Sequence, residues 1–258
     1  MGVRDLFSLA GKTALVTGGS RGLGLQIARG LAEAGARVGI TARKPEELAD
    51  AAAALRRTGH EIEVFACDLA KDGEAARLAA DALARFGRLD ILVNNAGTSW
   101  SAPAELYPAE GWNKVMRLNL DAVFFLTQAI ARQVMIPAGS GKIINIASIG
   151  GLGGNAPGIE MHTVAYNASK AALINMTQAL AVEWGRHNIN VNAICPGWFP
   201  SKMSGELLKQ HEDLFLSRIP LGRFGGEEDL QGVALLLAAE AGRHITGQAI
   251  VVDGGETA

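Results

Sequence analysis

Short apolar runs of β type alternate along this chain with longer stretches of helical periodicity, and that alternation leaves few folds open. Residues 13–17, 38–41, 61–66, 91–93, 142–147, 189–194 and 249–252 read as strands. Between them, residues 23–34, 45 to about 57, 73 to 86, much of 109–135, 164–186 and 228–239 read as helices. Several strands hold few polar residues, as expected where a sheet is covered on both faces, and helical connections imply parallel strands. With right-handed crossovers the expected fold is α/β: a single-domain, doubly wound, seven-stranded parallel sheet with helices on both faces, spanning residues 1–258. A ligand then belongs at the carboxyl ends of the strands.

Composition narrows the classes of function. The 258 residues carry 24 basic and 26 acidic side chains, a net charge of -2, with no basic run interleaved with aromatics. No nucleic-acid partner is therefore expected. Cys67 and Cys195 fall within or at the ends of apolar strand-like runs and read as buried free thiols. They have no Cys or His neighbours at ligand spacing, so no metal is expected. The first twelve residues, MGVRDLFSLAGK, lack the apolar core of a secretory signal, and no apolar run approaches the ~20 residues of a membrane span. The expectation is a cytoplasmic protein without a membrane partner.

Two segments carry chemistry. The first strand runs into Thr17-Gly18-Gly19-Ser20-Arg21-Gly22-Leu23-Gly24 and then a helix. Glycine spacing of this kind lets a backbone turn tightly and approach a pyrophosphate, whose charge the helix N-terminus stabilises. Further on, Tyr166-Asn167-Ala168-Ser169-Lys170 opens a helix, and the i to i+4 spacing sets Tyr166 and Lys170 on one face. Ser148 ends the strand before it, and Asn119 lies within the long helical stretch upstream.

Together these segments resemble the short-chain dehydrogenase/reductase family, and the resemblance covers nearly the whole chain. It implies a Rossmann-type NAD(P)-binding catalytic domain with Asn119, Ser148, Tyr166 and Lys170 as catalytic tetrad. Tyr166 is the expected general acid, Ser148 the hydrogen-bond donor to the substrate oxygen, and Lys170 the cation that lowers the phenol's pKa and holds the nicotinamide ribose. Asn119 is implied to hold a water leading to solvent. Gly18, Ser20, Arg21, Gly22, Leu23 and Gly24 resemble the family's phosphate loop. Asp68 with Leu69 resembles its adenine contact, and Asn94 with Asn95, Ala96 and Gly97 its adenosine-flanking turn. Pro196, Gly197, Phe199 and Ser201 resemble the loop that receives the nicotinamide amide.

Cofactor preference turns on charge after the second strand. Ala42 stands where the family's NAD-binding acid would be, Arg43 follows it, and Arg21 lies in the phosphate loop. Guanidinium groups there suit a 2′-phosphate, so NADPH/NADP+ is expected over NADH. Two segments that follow strands, 150–162 and 197–220, should form the substrate edge, with Trp100, Leu152, Met161, Trp198 and Met203 as an apolar pocket. The insert between Ser148 and Tyr166 is longer than the family usually has, and Gly150, Gly151, Gly153, Gly154 and Gly158 make it glycine-rich. His162 reads as an exposed loop residue.

Within the family the combination Asn-Ala-Gly-Thr-Ser-Trp with Pro-Gly-x-Phe-Pro-Ser-x-Met is most similar to two groups. One is the 3-oxoacyl-thioester reductases of the rhamnolipid-pathway kind; the other is gluconate 5-dehydrogenase-like members. The first reading is a reductase of a ketone or 3-oxoacyl thioester, the second a sugar-acid or polyol dehydrogenase, and the third a non-catalytic cofactor-sensing protein. The third conflicts with an intact Tyr-x-x-x-Lys. A carrier-protein partner would want basic helix surface, for which only Arg132 is an obvious candidate. The resemblance also implies a homotetramer built on the two long helices and the last strand.

Overall fold

The computed structural model describes residues 2–155, 161–202 and 204–258. Its sheet holds seven strands in the order β3-β2-β1-β4-β5-β6-β7, every neighbouring pair parallel. The strands are β1 (Thr13–Thr17), β2 (Arg37–Ala42), β3 (Ile62–Ala66), β4 (Ile91–Asn94), β5 (Gly141–Ile146), β6 (Ile189–Pro196) and β7 (Ala249–Val252). The fold is the expected doubly wound one. Strand order reverses between β1 and β4, and the chain leaves their carboxyl ends in opposite directions, opening a crevice between them.

Period-2 alternation explains why both faces are filled. On one face Val16 of β1, Val38 and Ile40 of β2, Val93 of β4, and Ile144 and Ile146 of β5 pack with α1 (Gly22–Glu33) and α2 (Pro45–Arg57). On the other face, Leu15, Leu92, Ile143 and Val191 pack with α3 (Glu74–Phe86) and the two long helices. Because side chains one residue apart point to opposite layers, apolar residues are required at successive positions through the middle of these strands.

The stretch read as one helix is α4 (Ala109–Met116) and α5 (Ala122–Ile130) joined by a π-turn over Arg117–Asp121. A second π-turn over Ala131–Met135 leads into the short α6 (Ile136–Ala138). The other long helix is α7 (Val164–Trp184). Segment 197–220, expected at the substrate edge, folds into two short helices, α8 (Gly205–Gln210) and α9 (Glu212–Leu216), around buried Leu208 and Phe215. The last helix, α10 (Gln231–Ala238), starts three residues later than its periodicity suggests. Both cysteines are buried and free, as expected.

Candidate active site

A cleft of about 2020 Å³ runs along the carboxyl ends of the strands, ample for a dinucleotide and a small substrate together. Its walls come from the segments after β1, β2, β3, β4, β5 and β6.

At one end the β1–α1 turn is built from glycines that admit nothing larger. Gly18 and Gly22 hold φ of +64° and +54°, in the left-handed region that disfavours side chains. A Cβ on Gly24 would lie 2.3 Å from the Gly18 carbonyl and 2.4 Å from Asn95 Nδ2. Gly24 therefore packs under the loop, and is not on the cleft wall, where Gly18, Ser20, Arg21, Gly22 and Leu23 all are. Asn95 Nδ2 donates to the carbonyls of Thr17 (2.9 Å) and Gly18 (3.1 Å). Thr17 Oγ1 in return accepts from the N–H groups of Asn95 (2.9 Å) and Ala96 (3.0 Å), so the loops after β1 and β4 are bolted together. The N-cap of α1, Arg21, makes no side-chain capping bond, so its side chain does not satisfy the N–H groups of the first turn. Thr41 Oγ1, at the end of β2, is buried without a hydrogen-bond partner among the described residues.

Arg43 is exposed and makes no ion pair among the described residues, whereas Arg21 does: its Nη1 lies 2.7 Å from Glu47 Oε2. Lys44 Nζ reaches the other oxygen of the same carboxylate at 3.2 Å. Sequence reasoning, confined to residues 41–44 at and just beyond the end of β2, missed Glu47. The signal was its position three residues after Lys44, in the first turn of α2, where a carboxylate both pairs with that lysine and meets the helix dipole. Asp68, Leu69, Ala96 and Gly97 line the same cleft.

The other predicted residues gather at the ends of β5 and β6. Ser148 follows β5, its Oγ accepting from the Gly150 N–H at 3.0 Å and capping the turn Ile149–Gly151. Ser148 is close enough to Tyr166, which opens α7, to affect the titration of the phenol. One turn on, Lys170 is 4% exposed and donates from Nζ to the Ile146 carbonyl at 2.6 Å. Burial pushes the Tyr166 phenol above its ordinary range, opposed by the nearby Ser148 side chain, and brings the Lys170 ammonium down to about 8. The expected lowering of the phenol by Lys170 is absent. Nζ is turned to the Ile146 carbonyl, 5.6 Å from the Tyr166 ring centroid, and desolvation is the larger effect.

Asn119 is fully buried at the centre of the first π-turn, off the cleft wall. Its Oδ1 accepts from the Thr98 N–H at 2.8 Å, and its Nδ2 donates to the Thr98 carbonyl (2.9 Å) and Ser169 Oγ (3.0 Å). Ser169 Oγ donates in turn to the Tyr166 carbonyl at 2.7 Å. Asn119 thus ties the loop after β4 to the turn of α7 that carries Tyr166. A point one bond out from Gly97 lies 3.4 Å from Asn119 Oδ1 and 3.8 Å from Lys170 Nζ, so the two polar groups border one small space. Below, Asn94, Thr127, Asn145 and Thr177 form a fully buried hydrogen-bonded chain that joins β4 and β5 to α5 and α7, also unforeseen.

Pro196, Gly197, Phe199 and Ser201 line the cleft after β6, and Trp100, Leu152, Met161 and Trp198 line its outer part. Trp198 is only partly a pocket wall. It packs at a tilt against Phe215 with centroids 4.4 Å apart and donates from Nε1 to Glu256 Oε1 at 3.0 Å. Met161 packs into the same small cluster. Met203 and Gly158 lie outside the described residues. His162 is exposed, as expected. Among the described residues no group of three or more His, Cys, Asp and Glu side chains is arranged to hold a metal ion, and no helix is long and apolar enough to cross a membrane.

The family model described as enoyl-(acyl carrier protein) reductase matches residues 18–257. The chain is 45% identical to the rhamnolipids biosynthesis 3-oxoacyl-[acyl-carrier-protein] reductase of Pseudomonas aeruginosa, over 96% of this chain and 97% of that protein. The chain belongs to the short-chain dehydrogenase/reductase family. It is also 41% identical to the gluconate 5-dehydrogenase of Gluconobacter oxydans, covering 98% of this chain and 97% of that one. Among solved structures, a gluconate 5-dehydrogenase from Burkholderia cenocepacia in complex with NADP and tartrate superimposes with a TM-score of 0.90 at 38% identity, over 99% of both chains. As a short-chain dehydrogenase/reductase the protein is an oxidoreductase that interconverts CH–OH and C=O groups.

Proposed function

We propose that the protein is an NADPH-dependent ketoreductase, reducing a ketone or 3-oxoacyl thioester to a secondary alcohol within one catalytic domain spanning residues 1–258. The observation that carries this reading is the convergence of Ser148, Tyr166 and Lys170 where the cleft passes the ends of β5 and β6.

The cleft fits the dinucleotide. The glycine turn and the uncapped N-terminus of α1 form a cradle for a pyrophosphate, lined by Gly18, Ser20, Arg21, Gly22 and Leu23 with Gly24 supporting from below. Asp68, Leu69, Asn95, Ala96 and Gly97 would flank the adenosine, and Pro196, Gly197, Phe199 and Ser201 the nicotinamide, with Tyr166 and Lys170 at its ribose. Arg21 and Arg43 favour a 2′-phosphate, in line with the NADP held by the Burkholderia relative. The nicotinamide, when bound, supplies hydride to the carbonyl carbon. Tyr166, a phenol that is protonated at neutral pH and that burial keeps so, is the group placed to give a proton to the carbonyl oxygen. Ser148, on the same cleft wall, is placed to donate to the oxygen as charge grows there. Lys170, charged below about pH 8, faces the same space as Asn119 and is placed to restore the tyrosine proton.

A second reading, oxidation or reduction of a sugar acid, is favoured by polar groups on the outer wall. Asn155 Nδ2 donates to Thr163 Oγ1, which donates to Asn167 Oδ1, each at 3.0 Å, giving hydroxylated substrates partners there.

The test is a set of ketone substrates followed by the absorbance of reduced nicotinamide: acetoacetyl-CoA, 5-ketogluconate and simple aryl ketones. Turnover of the thioester or aryl ketones with NADPH is expected, and turnover of 5-ketogluconate alone would favour the second reading. Tyr166→Phe should lower kcat by at least about a thousandfold while NADPH still binds, measured by fluorescence titration. Near-normal turnover in that variant would remove Tyr166 from the chemistry.

A further inference from the structure

Glu47 stands at the adenosine end of the cleft, among the groups that read the cofactor's charge. Each of its oxygens takes a different cation, Arg21 at 2.7 Å and Lys44 at 3.2 Å. All three residues line the cleft, as do Arg43 and Lys202. The carboxylate is less exposed than its partners, its side chain at 30% against 52% for Arg21 and 61% for Lys44. Its position in the first turn of α2 sets it against the positive end of the helix dipole. The positive charges of Lys44, Arg21 and Lys202 hold its carboxyl below the usual range, so it is ionised throughout the neutral region.

We propose that Glu47 is a specificity-determining counter-ion: it holds Arg21 and Lys44 at the cleft edge and, by its own charge, limits how tightly a 2′-phosphate binds there. The proposal rests on the cofactor reading above. A phosphate monoester carries close to two negative charges at neutral pH. It meets the carboxylate's repulsion twice over and must draw a guanidinium already satisfied by Glu47, whereas a 2′-hydroxyl meets neither obstacle. The benefit of pre-ordering two long side chains is counted once and applies only to groups that are more than half exposed. Repulsion therefore prevails, and the chain's preference for NADPH over NADH is smaller than its nearby cations would give alone. Glu47 tempers the discrimination that Arg43 and Arg21 create.

Calorimetric titration of the full-length protein with 2′,5′-ADP, and with 5′-AMP as the control lacking the 2′-phosphate, tests this without turnover. Glu47→Gln should lower the Kd for 2′,5′-ADP by about fivefold and that for 5′-AMP by less than about twofold, the size expected of one screened surface charge. The gain should be larger at pH 8 than at pH 5.5, because the phosphate loses its second proton near pH 6, and should shrink in 0.5 M salt. A purely structural role for Glu47 would give neither dependence. Unchanged or weaker 2′,5′-ADP binding by the variant, with the wild type still preferring 2′,5′-ADP to 5′-AMP, would overturn the proposal and leave the cofactor reading standing. A wild type without that preference would overturn the NADPH reading, and this inference with it.

Discussion

Lys170 is the residue whose physics conflicts most with stability. An ammonium that is 4% exposed, with a backbone carbonyl as its hydrogen-bond partner and no ion pair among the described residues, is an expensive group to bury. Its pKa falls from 10.5 to about 8 for that reason. The folded-state value is the lower one, so the unfolded chain binds more protons between those two pH values, and stability rises with pH across that window. Below pH 8 the whole penalty is present, on the order of 3 kcal/mol at 1.36 kcal/mol per pH unit. Replacing the charge with an apolar chain of similar length removes the penalty, offset by about 1 kcal/mol for the Ile146 carbonyl left without a donor. Lys170→Met should therefore raise the melting temperature of the cofactor-free protein at pH 7 by a few degrees, while abolishing turnover. The difference should narrow as pH rises toward 10.5. Differential scanning calorimetry at pH 7 and 9.5 checks this, and a variant less stable than wild type at pH 7 would show that the lysine is not strained. Such a cost is what a site pays when a charge is kept for chemistry and not for folding.

At the level of elements, the turn between β1 and α1 makes the sharpest demand on sequence. A methyl on Gly24 would stand 2.3 Å from the Gly18 carbonyl and 2.4 Å from Asn95 Nδ2, both parts of the bolted β1–β4 pair. Gly24→Ala should cost about 1–3 kcal/mol in chemical denaturation and weaken dinucleotide binding at least about tenfold, since the loop must move to admit the methyl. Gly153→Ala, in the glycine-rich insert, meets nothing within 4 Å and should leave both quantities unchanged. Equal effects from the two substitutions would mean that packing at Gly24 does not hold the loop. Such demands are why the strands, the glycine turn and the Tyr-x-x-x-Lys helix were legible in the sequence: local backbone geometry and two-sided burial dictate residue type there. Other features were not legible, because they depend on partners distant in sequence. The π-turn at Asn119 serves bonds to Thr98 and Ser169, 21 and 50 residues away. The Asn94–Asn145–Thr177 chain crosses two layers. The helices α8 and α9 form around Phe215, which needs Trp198 to cover it. Glu47 fell between these cases, since its bond to Lys44 is local and its bond to Arg21 is not.

Across the whole molecule, apolar surface is left uncovered on the two long helices. Phe125 on α5 is 55% exposed and Val182 on α7 is 86% exposed, with Trp112 of α4 and Val164 of α7 at 40% and 43%. The helices themselves are well packed beneath, through Leu126, Ile130, Leu180 and Trp184, so the exposed residues are not marks of poor folding. The strand β7 adds an open edge, because among the described residues it pairs only with β6. Scattered exposed apolar residues need no explanation, but bulky ones on adjacent helices beside an unpaired strand favour burial against a second copy. The full-length protein should accordingly sediment as a symmetric oligomer, a tetramer if both the helical face and the β7 edge are used. Phe125→Glu with Val182→Glu places charges on the helical face alone. That variant should drop to a smaller species by analytical ultracentrifugation while keeping its circular dichroism spectrum. Because α5 and α7 carry the segments that hold Asn119, Tyr166 and Lys170, losing the interface should also lower kcat before it affects NADPH binding. A wild type that is monomeric at micromolar concentration would sink the prediction, and a double variant with unchanged mass would place the contact elsewhere than on these helices.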